Sequence, residues 1–198
     1  MEIILASTNS HKIREFREMF RGFSQFELLS LHSFHDYQSP EETGQTFREN
    51  AILKAEHAAR HLRRWVLADD SGLVVPALNG SPGVHSRRYA GPHATDEDNR
   101  KKLLIELKAV EDSKRVAYFE CCLALAGPEG LKKCAEGICE GLILREARGR
   151  QGFGYDSLFV KNDYEKTFAE LDESVKNRIS HRRKAFERLL TVLESLKD

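Results

Sequence analysis

The chain has 198 residues, which is enough for one substantial hydrophobic core or for two small lobes. Its hydrophobic (40%) and charged (31%) fractions are those of an ordinary globular protein, and no apolar run approaches the roughly 20 residues of a membrane-spanning helix. The 31 basic and 31 acidic residues cancel, so we expect no global field for binding long nucleic acid, and the first residues do not resemble a signal peptide.

The first part of the chain alternates short apolar runs with amphipathic segments. In chain order it predicts a strand at Ile3–Ala6, a helix from about Ser10 to Phe20, a strand at Phe26–Leu31, a helix after "TGQT" and a strand at "WVLA". The helices are predicted because apolar side chains recur on one face. In the second helix these side chains are Phe47, Ala51, Ala55, Ala58 and Leu62.

The second part is richer in strands. "LVVPALNGSPGV" predicts a separate strand that Pro76 ends, and "TDED" predicts a capping box at Thr95 that opens a helix. "RVAYFECCLALA" and "LKKCAEGICEGLIL" predict two strands joined by the turn "GPEG". After a short strand at "SLFV", a last helix is expected to begin near Ser180.

Strands and helices interleave here without strict alternation. This favours an α/β fold with a mixed, twisted central sheet flanked by helices. We expect a single domain over residues 1–198, with two lobes and an active-site cleft between them.

The four cysteines are Cys121, Cys122, Cys134 and Cys139, and none lies in a C-x-x-C pair of the kind that binds zinc or carries redox chemistry. We therefore expect free thiols with structural roles in a reducing compartment, which makes the cytoplasm the expected location.

Two segments carry side chains suited to phosphate. In "LASTNSHK" a strand opens into a helix through small polar residues, which predicts an anion site of backbone N–H groups with Lys12 as an added charge. The alternative is a plain helix cap by Asn9 with Lys12 in solvent. In "RENAILKAEHA", Asn50 and Lys54 share a helix face, so Lys54 either reaches phosphate or belongs to a solvated surface.

Carboxylates are concentrated in "EETG" and "DDSG". Carboxylates that meet phosphate oxygens are how proteins hold Mg²⁺, and Asp69-Asp70 at the end of a strand would lie where α/β sheets place ligands. The alternative is that Asp70 and Ser71 cap a turn, while Glu41 and Glu42 are solvated.

The C-terminal third adds an aromatic loop and a basic cluster. Phe153 and Tyr155 in "GFGYD" either stack on a base or pack under the loop. "KNRISHRRK" gathers basic residues at the start of a helix, where the dipole favours anions. A bound anionic ligand would explain that placement, and a solvated basic face is the alternative.

These motifs occur together and in order: "LASTNSHKIRE", "EETGQTFRENAILKA", "ADDSGLVVPALNGSPGVHSRRYAG", "GFGYD" and "ISHR". In this combination the chain resembles the inosine/xanthosine triphosphate pyrophosphatase family over essentially its whole length. The resemblance implies a homodimer that hydrolyses XTP, ITP and dITP with Mg²⁺ to the monophosphate and pyrophosphate, clearing non-standard nucleotides from the pool.

The resemblance also implies roles for individual residues. Glu42 and Asp70 would hold the metal, with Asp70 also the general base. Together with Lys54, whose assignment rests on its charge, the residues expected to bind the substrate are Ser7, Thr8, Asn9, Ser10, His11, Lys12, Ser71, Phe153, Gly154, Tyr155, Asp156, Lys176, His181 and Arg182.

The chain departs from the family pattern at a few positions. His85 stands where the family usually has Tyr, Arg87 where it has a small residue and Ser157 where it has Pro, while Ser7 replaces a common Thr. None of these removes a charge that the reaction needs. Two other functions stay open: a nucleotide sensor that binds without turnover, and a pyrophosphatase of broader specificity.

Overall fold

The computed structural model describes residues 1–196, which form five helices and six strands. The helices are α1 (Ser10–Phe20), α2 (Phe47–Leu62), α3 (Asp96–Glu106), α4 (Glu173–Ile179) and α5 (His181–Glu194). The strands are β1 (Glu2–Leu5), β2 (Glu27–Ser30), β3 (Val66–Val74), β4 (Val116–Gly127), β5 (Gly130–Ile143) and β6 (Phe159–Lys161). Within this part of the chain no helix has both the length and the apolar character needed to cross a membrane.

The strands form one sheet in the order β2-β1-β3-β4-β5-β6. β1 runs parallel to β2 and to β3, with Ile4 opposite Leu29 on one side and Val66 on the other. β6 runs antiparallel to β5, and the neighbours β4 and β5 are joined only by Pro128 and Glu129. These pairings confirm the predicted α/β class with a mixed sheet.

The chain divides into two compact units. The first comprises Met1–Asp70, Cys121–Gly137 and the chain from Arg182 onward, and the second comprises Ser71–Glu120 and Ile138–His181. Each unit has its own hydrophobic cluster. The first cluster is built around Phe16, Leu67, Leu123, Phe186 and Leu189, and the second around Leu73, Leu103, Phe119, Phe159 and Phe168.

Side-chain caps fix the starts of three helices. Asn9 caps α1, and a capping box of Thr46 with Glu49 opens α2. The predicted capping box at Thr95 is confirmed, with Asp98 as its second member. These caps satisfy backbone N–H groups that have no partner within the helix.

Two predictions about element boundaries were wrong. β3 does not end at "DDSG" but continues to Val74, so Asp69 and Asp70 lie inside one long strand rather than at a strand end, and "LVV" is not a separate strand. Side chains of the first unit neutralise these charges, as described below, and the strand can therefore continue past them. Pro76 starts a short 3-10 turn after β3.

The basic cluster "KNRISHRRK" is also divided differently from the prediction. Ser180 has an extended backbone (φ −73°, ψ 161°) and separates α4, which the sequence did not predict, from α5. Lys176 and Arg178 therefore lie in the last turn of α4, where the helix dipole favours cations. Only the basic residues from His181 onward lie at a helix start.

Arg115 fastens the second unit through backbone carbonyls alone. Its side chain is fully buried, and its guanidinium donates to the carbonyls of Leu107 (2.7 Å), Ile143 (2.8 Å) and Leu144 (2.9 Å). The end of α3 and the end of β5 are thus held by one cationic side chain.

We expect Arg115→Met to lower the free energy of unfolding by about 3 kcal/mol, since three carbonyls lose a charged donor in a buried place. Urea denaturation with an unchanged m-value measures this loss. Arg145→Met is the matched control, because Arg145 is exposed and pairs with exposed Asp112. Equal effects of the two substitutions would contradict the assigned role of Arg115.

Candidate active site

The turn before α1 is held by its own side chains. Asn9 Oδ1 accepts from the backbone N–H groups of His11 (2.9 Å) and Lys12 (3.1 Å), and the Asn9 N–H donates to Ser7 Oγ (3.2 Å). The cap by Asn9 is therefore present, but Lys12 is not in solvent. Its side chain is 15% exposed, and its Nζ donates to Asp69 Oδ1. Thr8 and Ser10 are exposed on this turn.

Asp69 is a buried carboxylate surrounded by donors. Besides Lys12, Arg182 Nε donates to its Oδ2 (2.8 Å), and the Cys121 thiol donates to the same oxygen (3.1 Å). Burial alone would raise the pKa of Asp69, but the charges of Arg182 and Lys12 hold that pKa well below its usual range. Asp69 is thus ionised, and its two strongest donors fix it in place.

Arg182 forms ion pairs with two carboxylates. Its guanidinium is buried, donates to Asp69 and Glu15, and lies 5.9 Å from the centre of the Phe16 ring. Burial alone would lower the pKa of Arg182, but the charges of Asp69 and Glu15 outweigh burial and raise that pKa above its ordinary value, so the side chain stays cationic. This pairing fixes Arg182 at the start of α5.

Lys54 reaches a second group of oxygens. Its Nζ donates to Glu42 Oε1 (2.7 Å), to the backbone carbonyl of Asp69 (2.8 Å) and to Asp70 Oδ1 (2.9 Å), which uses all three of its hydrogens. The solvated alternative for Lys54 is therefore wrong. One turn earlier, the Asn50 side chain accepts from the backbone N–H of Gly44 (2.8 Å) and holds the loop that contains Glu42.

Asp70 differs from Asp69 because one of its carboxylate oxygens accepts no hydrogen bond from the described residues. Oδ2 is buried and has no hydrogen-bond partner among the described residues. Burial raises the pKa of Asp70, and the negative charge of Glu42 raises it further against the opposing charges of Lys54 and Lys12. The free carboxylate oxygen beside a second carboxylate fits a divalent cation with oxygen ligands.

The donor set favours Mg²⁺ over a metal held by the protein alone. No group of three or more His, Cys, Asp or Glu side chains in the described part of the chain is arranged to hold a metal. Mg²⁺ uses one or two carboxylates and completes its shell with water and substrate phosphates. Glu42 and Asp70 match that requirement, and Lys54 holds the two carboxylates close together by donating a hydrogen bond to each.

The second unit holds the aromatic loop and its lysine. Lys176 Nζ donates to Asp156 Oδ2 (2.6 Å) and lies 4.6 Å from the centre of the Phe153 ring. The same Asp156 oxygen accepts from the Phe153 N–H (2.9 Å). Gly152 has φ 75°, and a Cβ there would lie 2.1 Å from this oxygen, so the close turn requires glycine. Asp156 and Lys176 are buried, whereas Phe153 is half-buried.

The loop is fastened further by α3. Gly154 donates its N–H to Asp96 Oδ2 (2.6 Å), and its carbonyl accepts from Arg100 (2.7 Å). Tyr155 is buried in the second cluster and donates its hydroxyl to the Ser86 carbonyl (2.9 Å). Tyr155 therefore packs under the loop, and Phe153 is the aromatic side chain that keeps exposed area.

His181 begins α5 and is buried against an aromatic ring. Its imidazole stacks on Phe119 with 4.9 Å between ring centres and 14° between planes. Ser71, half-buried, follows Asp70 in β3. Sequence reasoning did not identify Phe119 as the support of His181.

Glu15 and Cys121 were also missed, and each had a sequence signal. Glu15 lies next to Phe16 and four residues before Met19, so a charge stands within the apolar stripe of α1 and requires a buried partner. Cys121 alternates with Leu123 and Leu125 on one face of β4, which predicts burial. Neither signal names the partner, because Arg182 is far away in the sequence.

The predicted residues thus form two groups. The first unit brings together Lys12, Glu42, Lys54, Asp70 and Arg182, and the second unit joins Phe153, Asp156 and Lys176. Cations and carboxylates are paired within each group. Such paired, partly buried ionisable residues are typical of functional sites.

Comparison with known proteins covers the whole chain. The model of the Ham1 family matches residues 3–192. A dITP/XTP pyrophosphatase of Protochlamydia amoebophila (strain UWE25) is 69% identical over 199 residues, with 100% of both chains covered. A HAM1 protein from Coxiella burnetii has a similar structure, with a TM-score of 0.89 and 46% identity over 99% of this chain and 100% of that one.

A further solved structure agrees with this result. The nucleoside-triphosphatase / dITP/XTP pyrophosphatase from Mycobacterium abscessus matches with a TM-score of 0.78 and 40% identity, covering 98% of this chain and 100% of that chain. The likeness therefore includes residues of both compact units rather than of one alone.

The opposite pKa shifts of Asp69 and Asp70 predict opposite effects on stability in EDTA. At pH 7, Asp69→Asn should lower the free energy of unfolding by about 3 kcal/mol or more, the cost of breaking a buried ion pair. Because the pKa of Asp69 is lowered on folding, this loss should shrink as the pH falls below the ordinary aspartate value of about 3.9.

Asp70→Asn is the matched comparison at the neighbouring position. The pKa of Asp70 is raised on folding, so its ionised form costs stability once the pH exceeds the folded value. Asp70→Asn should therefore keep or increase stability at pH 7. Urea titrations at pH 7 and in acid measure both variants, and an equal loss for both at pH 7 would contradict the assignment.

Proposed function

We propose that this chain, which belongs to the Ham1 family, hydrolyses the non-standard purine nucleoside triphosphates XTP, ITP and dITP to the monophosphate and pyrophosphate with Mg²⁺. The observation that carries the proposal is the buried Asp70 Oδ2, which has no hydrogen-bond partner among residues 1–196. The other oxygen of the same carboxylate accepts from Lys54, which also donates to Glu42. The names of the relatives support the substrate class.

Glu42 and Asp70 hold the metal in this proposal. When bound, Mg²⁺ supplies charge neutralisation and alignment for the phosphates, which phosphoryl transfer needs more than covalent help. Lys54 keeps the two carboxylates in place through separate hydrogen bonds to each.

Asp70 is the general base. Its pKa is raised by burial, which increases its affinity for a proton. Asp70 takes the proton of a water that attacks the α-phosphorus, and the bond between that phosphorus and the oxygen bridging to the β-phosphate breaks. Pyrophosphate leaves, held by the turn Ser7–Lys12, whose exposed Thr8 and Ser10 face solvent.

The purine contacts come from the aromatic loop and the start of α5. Phe153 offers a ring face for stacking, with Gly154, Tyr155 and Asp156 shaping the loop and Lys176 adding positive charge. Ser71 and His11 contact the substrate as well.

Base selection rests on donors. The 6-oxo group of hypoxanthine and xanthine accepts hydrogen bonds from His181 and Arg182, whereas the 6-amino group of adenine is itself a donor and cannot accept them. An unpaired buried donor costs about 1–3 kcal/mol. The ion pairs of Arg182 and the stacking of His181 on Phe119 keep both side chains in fixed positions.

The proposal extends to the organisation of the protein. Residues 1–198 act as one catalytic domain, since the family match includes residues of both compact units. The protein works as a homodimer in the cytoplasm on free nucleotides, and all four cysteines are free thiols, as suits a reducing compartment.

The first experiment is pyrophosphate release from dITP, XTP, GTP and ATP, each with Mg²⁺ and with EDTA. We expect fast release from dITP and XTP only, and only with the metal. Release from all four would indicate a broader pyrophosphatase. Binding of the same nucleotides without release would indicate a sensor and overturn the proposal.

Asp70→Asn should reduce turnover of dITP by about 100-fold or more, the scale of a lost general base. Steady-state pyrophosphate release at saturating Mg²⁺ measures this change. Glu41→Gln is the control, because Glu41 is exposed and next to Glu42, and its turnover should be unchanged. Near-normal turnover of Asp70→Asn would reject the assignment of Asp70.

His181→Ala should reduce the preference for dITP over dATP, expressed as the ratio of kcat/KM values, by about tenfold or more. The variant removes one donor that adenine would leave unpaired. His93→Ala, at an exposed histidine, should keep the ratio of the wild type. An unchanged ratio in His181→Ala would remove His181 from base selection.

A further inference from the structure

Two cysteines approach each other in the hairpin of the first unit. Cys122 lies on β4 and Cys134 on β5, and their Sγ atoms are 2.7 Å apart. Side chains alternate along a strand, and Cys121, Leu123 and Ala135 belong to the first hydrophobic cluster. Cys122 and Cys134 therefore share the opposite face of the two strands.

The two thiols differ in access to solvent and in charge environment. Cys122 is fully buried, whereas Cys134 is only partly buried. The hydrogen bond from Cys122 lowers the pKa of Cys134, and the positive charge of Arg48 lowers it as well. Cys134, the more accessible thiol, is therefore also the one that ionises more easily.

We propose that Cys122 and Cys134 form a redox-sensitive thiol pair, which peroxide converts into a reversible disulfide within one chain. The assignment rests on the contact of the two sulfurs across the β4–β5 hairpin and on the partial exposure of Cys134. The pair lies apart from the thiol that touches the candidate site, because Cys121 and not Cys122 donates to Asp69.

The oxidation proceeds in two balanced steps with hydrogen peroxide. The thiolate of Cys134 attacks one peroxide oxygen, the O–O bond breaks, and a sulfenic acid forms as hydroxide leaves and takes up a proton. The sulfur of Cys122 then attacks the sulfenic sulfur, the S–O bond breaks, and the oxygen leaves as water with the proton of the Cys122 thiol. Two thiols and one peroxide give one disulfide and two waters, and a dithiol reductant reverses the change.

The remaining cysteines are placed differently. Cys121 is buried, and burial raises its pKa well above the usual range. Cys139 is buried in the second cluster, which belongs to the other unit. Both thiols are buried and offer a peroxide no accessible sulfur, so oxidation should select one pair out of four cysteines.

The test treats the folded full-length protein with a small excess of hydrogen peroxide and counts thiols after denaturation. We expect the wild type to fall from four thiols to two and to recover all four with dithiothreitol. Cys139→Ala is the matched control and should fall from three thiols to one. Cys134→Ser should keep its three thiols and form no disulfide.

Peptide mapping of the oxidised wild type provides a second measurement that does not depend on any variant. Trypsin should release residues 116–132 linked to residues 134–145, and fragmentation should place the bond at Cys122 and Cys134. A bond between Cys121 and Cys139, a bond between chains, or four remaining thiols in a folded, peroxide-treated protein would each overturn the proposal.

Discussion

The buried charge of Asp69 is the constraint on which the first unit depends. An ionised carboxylate without partners would cost several kcal/mol inside a protein, and Asp69 is fully buried. Lys12 of α1 and Arg182 of α5 must therefore both reach β3, and the thiol of Cys121 brings in β4. One carboxylate thus fixes the positions of two helix starts against two strands of the sheet.

The two adjacent aspartates differ in their partners and in the direction of their pKa shifts. Successive side chains of a strand point to opposite faces, so Asp69 and Asp70 meet different partners although they are neighbours. Asp69 receives two cations and a thiol, while Asp70 shares Lys54 with Glu42 and keeps one oxygen without a hydrogen bond among the described residues. In the proposed function, a structural charge on Asp69 and a reactive charge on Asp70 therefore stand side by side, which would explain why the strand carries both.

Local signals made much of this arrangement predictable. The helix starts near Ser10, after "TGQT" and at Thr95 were predicted correctly, and so was the strand at "RVAYFECCLALA". The continuation of β3 through "DDSG" could not be predicted, because it depends on cations that come from distant parts of the chain. For the same reason the pairing of Glu15 with Arg182, 167 residues apart in sequence, was beyond local reasoning.

Charge balance in the first unit bears on the proposed roles of the metal and the substrate. The hydrogen bonds of this site join the carboxylates of Glu15, Glu42, Asp69 and Asp70 to the cations Lys12, Lys54 and Arg182. Four carboxylates thus face three cations in this set, and a divalent cation would add positive charge to it. In the proposed function, a triphosphate and Mg²⁺ therefore bind with positive coupling, because each supplies charge that the other requires. On that proposal the site favours the metal-bound nucleotide over the free one.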